Sequence, residues 1–113
     1  MHFRQSEACD RFEKSYLLRA QYSPANDPKL ISDLDDLVSL MYQCGDYDHI
    51  IDFVHGLKLS CETPGFARVV ERTGEAQQAI GLFDDAEEEF IKVFVEYKKF
   101  VFFGLLDCAL QVF

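Results

Sequence analysis

Apolar residues return every three or four positions along most of this chain, the period of a helix with one buried face. The pattern predicts an all-α protein of about six helices. Over about 6–21, Ala8, Phe12 and Tyr16 fall four apart, Cys9, Leu17 and Ala20 widen the stripe, and Ser6 stands where an N-cap belongs. Two prolines and Asn26-Asp27 break the pattern within 22–28, a length ordinary for a connection. A second helix is expected over about 30–44, with Ser32 and Asp35 as a capping pair and Leu34, Leu37, Val38 and Met41 turned inward. Gly45 supplies the left-handed turn that ends it. The third, about 48–59, turns Ile50, Ile51, Val54 and Leu57 inward, and Thr63 before Pro64 reads as the start of a fourth over about 64–80.

At the corner Gly81-Leu82-Phe83 the fourth helix gives way to a fifth, expected over about 84–99. Asp84 followed three residues later by Glu87 has the form of a capping box, with Phe83 as the apolar residue before it. Ala86, Phe90 and Val93 or Phe94 make one stripe; Ala86 is small enough to admit the fourth helix, and Phe90 fills the groove one turn on. The stretch 100–113, FVFFGLLDCALQVF, is apolar on every face of a sixth helix except at Asp107 and Gln111. One face packs on the fifth helix. The remainder folds into the inner surface, meets a partner or a second copy, or belongs against a longer chain from which this one is cut.

Two corners repeat each other. Gly45-Asp46-Tyr47, with Ile50, Val54 and Leu57 after it, aligns with Gly81-Leu82-Phe83 followed by Ala86, Phe90 and Val93, at a separation of 36 residues. Upstream, Leu34 and Leu37 align with Val70 and Thr73. A period near 34 residues marks stacked helix–turn–helix arrays, in which each hairpin needs a neighbour to bury its apolar face. The pattern resembles the tetratricopeptide repeat, the second copy at Gly74, Gly81, Phe83, Ala86 and Phe90 and the first at Leu34, Leu37, Gly45 and Tyr47. It departs from the family at Ile50, where a small residue is expected, and at Val38, where the family has glycine.

The length fits a single domain over 1–113, with an N-terminal helix at about 6–21 and the apolar helix at about 100–113; the resemblance covers about 31–100 and implies repeats at about 31–64 and 67–100. It also implies a ligand-binding inner surface on the first helix of each repeat. Those positions are Ser32, Asp35, Ser39 and Tyr42 in the first repeat and Arg68, Glu71, Glu75 and Gln78 in the second. Arg68 and Arg72 match half of the basic clamp some members use for acidic peptide termini. Asp35 and Ser39 stand where the other half needs Lys and Asn, and Glu71 and Glu75 are placed to pair with the arginines. No clamp is expected.

Composition narrows the function. With 49% hydrophobic residues, 14% aromatic and 11 Phe, the chain is far from the disordered class, and its length suits one modest core. The net charge of −9, from 20 acidic against 11 basic side chains, disfavours nucleic acid and anionic membrane, and either suits a basic or apolar protein partner or simply keeps a Phe-rich chain soluble. Four scattered cysteines and no apolar secretory stretch in residues 1–10 predict a reducing, cytoplasmic setting. No uncharged apolar run is long enough to span a bilayer.

Candidate chemistry is sparse. Cys44, His49, His55 and Cys61 are the one group that suggests a metal, but the two histidines are six apart on a helix and point away from each other. The run Asp84-Asp85-Ala86-Glu87-Glu88-Glu89 fits a helix N-terminus and lacks the spacing of a calcium loop. No phosphate loop, nucleophile elbow or metalloprotease motif is present, so no enzyme, cofactor or metal is expected. The length, single N-terminal helix and Leu37–Ile51 stretch (LVSLMYQCGDYDHII) are similar to the tetratricopeptide-like chaperones of type III secretion needle subunits. That resemblance implies a chaperone or adaptor that pairs with a small helical co-chaperone and shields an apolar helix of its client; the apolar surplus of the last stretch puts Phe102, Phe103, Leu106, Leu110 and Phe113 at a contact. The alternative is a scaffold domain that associates with itself through 100–113.

Overall fold

The computed structural model describes residues 2–24, 27–57, 59, 63 and 65–112, with side chains described between 7 and 99. The described residues form five helices and no strand: α1 (His2–Ala20), α2 (Pro28–Gln43), α3 (Tyr47–Gly56), α4 (Phe66–Ala79) and α5 (Phe83–Val112). The expected fifth and sixth helices are one. No proline, glycine corner or cap interrupts the backbone at 99–100, so the apolar tail simply continues the helix.

α2 and α4 hold the centre. α2 packs on α1, α3 and α4, and α4 also packs on α3 and α5. Leu30, Ile31, Leu34, Leu37, Val38 and Met41 of α2 repeat at helical spacing and are all buried. All but Ile31 belong to one buried cluster with Ile50 and Val54 of α3, Phe66, Val69 and Val70 of α4, and Cys9 and Tyr16 of α1, which Val93 of α5 joins from the α4 side. On α1 the buried side is Cys9, Phe12 and Tyr16; Ala8 and Leu17, expected inward, face solvent.

Helix starts are where the expectations fail most. α1 already runs at His2, which puts Ser6 inside it rather than at its cap. α2 begins two residues early, because the Asp27 carboxylate accepts from the Lys29 N–H at 3.1 Å and Pro28 occupies the first turn; Ser32 and Asp35 lie inside the helix. α4 starts after Gly65 rather than at Thr63–Pro64. The Leu82 carbonyl accepts from the Ala86 N–H, so α5 starts at Phe83 and Asp84 lies in its first turn rather than at its cap.

The 36-residue repeat is visible in the backbone. After α2, the Gly45 N–H donates to the Tyr42 carbonyl at 3.0 Å and the Asp46 N–H to Met41 at 3.1 Å. After α4, Gly81 donates to Gln78 at 3.1 Å and Leu82 to Gln77 at 2.8 Å. Both sets are the Schellman closure, with the glycine left-handed at φ 76° and 86°. The same turn thus sends α3 back along α2 and α5 back along α4.

The two hairpins pack differently at one pair of positions. A Cβ on Gly74 would stand 2.8 Å from the Phe90 ring, so α4 and α5 close through a glycine and an aromatic. The equivalent positions in the first hairpin hold Val38 and Val54, both buried.

Candidate partner-binding surface

The residues expected to line an inner surface do lie on neighbouring helices, and they are joined by polar links. Arg68 Nε stands 3.9 Å from an Asp35 carboxylate oxygen, tying α4 to α2. Arg72 lies over the Tyr42 ring at 5.3 Å and donates to Glu75 at 3.1 Å, and Tyr42 packs edge-on against Tyr47. The Tyr97 hydroxyl of α5 donates to Glu71 at 3.5 Å. Partial burial, then the Glu71 charge, push the Tyr97 phenol above its ordinary value. Ser32 is exposed and Ser39 half-buried. The pairing expected between the arginines and the glutamates holds for Arg72 with Glu75; Arg68 turns to Asp35 instead. This face is thus a polar ledge with some of its charged groups paired to one another.

Apolar surface is concentrated one step further on, where α4 meets α5. A groove of about 370 Å³ is lined by Gln78, Phe83, Ala86, Glu87, Phe90, Ile91 and Phe94. Gln78 is the one inner-surface residue among those expected that reaches it. Phe83 is 65% exposed, Ile91 54% and Phe94 62%, and Val95 and Tyr97 are also open to solvent. The expected alternation between Val93 and Phe94 resolves cleanly: Val93 is buried against α4 and Phe94 faces out. Phe83, Ile91, Phe94 and Val95 are not among the expected contacts. Their signal is the surplus of apolar residues over what one stripe of α5 can bury once Ala86, Phe90 and Val93 have been assigned to it. Phe102, Phe103, Leu106 and Leu110, on the continuing helix, and Phe113 have side chains outside the described residues.

A second cleft, of about 600 Å³, separates α3 from α5. α3 ends at Gly56, short of its expected reach to 59, and α5 packs its backbone on α4 alone among the described residues. The floor is Val54, Phe66 and Val70, with Leu59, Ile91 and Val95 around it. His55 bridges the gap to Glu89 at 2.9 Å, and Lys92 approaches the other carboxylate oxygen at 3.8 Å. Glu89 is buried, and these two side chains are the partners its carboxylate oxygens meet.

His49 and His55 therefore bond to separate carboxylates. His49 reaches Glu13 of α1 at 2.9 Å, and that bond raises its pKa against the opposing effect of burial, with Asp46 and Asp10 adding to it. The Cys44 thiol faces Cys9 instead, the two sulfurs 3.4 Å apart. Burial, then the Cys44 contact, push the Cys9 thiol up to about 12. Cys61 lies outside the described residues, and among those described no group of three or more His, Cys, Asp or Glu could hold a metal ion. No helix among the described residues is long and apolar enough to cross a membrane.

No protein-family model matches the chain, and no curated protein or solved structure matches it either.

Proposed function

We propose that this chain is a non-enzymatic protein-binding module of the tetratricopeptide-like kind, whose α4–α5 face receives an apolar amphipathic helix of a partner. The observation that supports this most directly is the outward face of α5, where Phe83, Ile91 and Phe94 stand open beside a ready groove. Large apolar side chains scattered singly need no explanation, but three within one short stretch on one side of a helix form a patch. Docking a helix there removes that area from water, each fully covered side chain contributing about 1.5–3 kcal/mol before the costs of association. The surrounding acidic surface favours a helix with basic flanks. Its role is that of a chaperone or adaptor that keeps such a helix from aggregating. A type III secretion needle subunit held with a small helical co-chaperone is the client the family resemblance implies.

Phe94→Asp tests the reading. Because Phe94 is exposed, the variant should fold with stability within about 0.5 kcal/mol of the parent. It should lose the partner that the parent retains on purification from its host, and the purified partner should rebind only the parent. Equal retention by both contradicts the reading.

A further inference from the structure

The outward face of α5 carries its own complement, and we infer that it pairs with a second copy of itself, antiparallel, across a two-fold axis between Lys92 and Val93. This rests on reading the face as a helix-receiving surface, and it names one occupant.

At about 100° per residue, Glu87, Ile91, Phe94 and Lys98 fall within an arc of roughly 60°, on the side of α5 turned away from Val93 and α4. All four are exposed, and among the described residues neither Glu87 nor Lys98 forms an ion pair; Lys98 rests over the Phe94 ring at 5.4 Å. The charges bracket the apolar pair symmetrically, Glu87 four residues before Ile91 and Lys98 four after Phe94. Turning a second α5 about the proposed axis sets Glu87 of each copy opposite Lys98 of the other and Ile91 opposite Phe94. Both charges at the seam are then matched. A parallel arrangement sets Glu87 against Glu87 and Lys98 against Lys98, which antagonises it. The face thus selects one orientation and one register.

Length also fits. α5 has 30 residues, about 45 Å, whereas the 14 of α4 supply about 21 Å of cover. The proposed register overlaps the two helices over about 30 Å, at the 8–10 Å spacing of packed helices. A client helix and a second copy would occupy the same residues, so each excludes the other.

Sedimentation of the purified chain across micromolar to millimolar concentration tests this, with Glu87→Lys, Lys98→Glu and the double variant alongside. The parent should dimerise. Each single variant puts two like pairs at the seam and should weaken association at least about tenfold, with an unchanged helical spectrum. The double variant should dimerise again, and so should an equimolar mixture of the two singles, in which every pair is matched. A monomeric parent, single variants as dimeric as the parent, or a mixture that stays monomeric would each overturn the pairing. A monomeric parent that still loses its partner through Phe94→Asp sinks the pairing and leaves the proposed function standing. A dimer that follows the charge pattern while Phe94→Asp keeps its partner supports the pairing and sinks the proposed function.

Discussion

Single side chains tie the outer helices to the centre. α1 packs on α2 and reaches α3 through Glu13 on His49 and through Tyr16, edge-on to Phe53 at 6.0 Å. Because Glu13 raises the His49 pKa, folding takes up a proton there as pH falls. The contribution is fully present below about 6.5, the ordinary histidine value, and is lost as pH rises through the raised folded value. His49 is 43% exposed, so solvent screening keeps the contribution below about 1 kcal/mol. Urea unfolding of the parent and of Glu13→Gln over a pH series should show the parent's advantage at the acid end and its disappearance above neutrality. An advantage that is constant, or that grows with pH, contradicts this role.

Helices carry the clearest lesson on what a sequence discloses. The α4–α5 hairpin closes because Gly74 leaves room for the Phe90 ring, whereas α2 and α3 close over Val38 and Val54. Gly74→Val should therefore cost about 1–3 kcal/mol by overpacking. Phe90→Val added to it copies the first hairpin and should recover part of the loss, a coupling that a double-mutant cycle reads directly. Strict additivity would show that the ring and the glycine do not share one space. The buried stripe of α2 and both glycine corners are legible in the sequence because they depend on local spacing and on a backbone conformation that favours glycine. The N-termini are not, since several Ser and Asp residues offer themselves as caps and tertiary packing chooses among them. Nor is the gap between α3 and α5, which follows from where α3 stops. The continuity of α5 is hidden too: a change in composition at Phe100 looks like a boundary, but nothing in it breaks a helix.

At the scale of the molecule, the extents of 59 × 36 × 24 Å reflect one long helix laid along a short bundle. Among the described residues α5 packs on a single neighbour, and its outer side is the face proposed to meet other polypeptide. The inner polar ledge, where the repeat resemblance puts a bound peptide, pairs part of its charge internally through Asp35–Arg68, Arg72–Glu75 and Tyr97–Glu71. The most direct test is the rate at which a thiol reagent modifies Ile91→Cys in the free monomeric chain and in the complex with its partner helix. Asp52→Cys, at an exposed position of α3, serves as the reference. Covering the α5 face should slow the reaction at position 91 by at least about tenfold and leave position 52 unchanged. Equal rates at position 91 in the free and bound states would contradict the claim that this face is the one that binds.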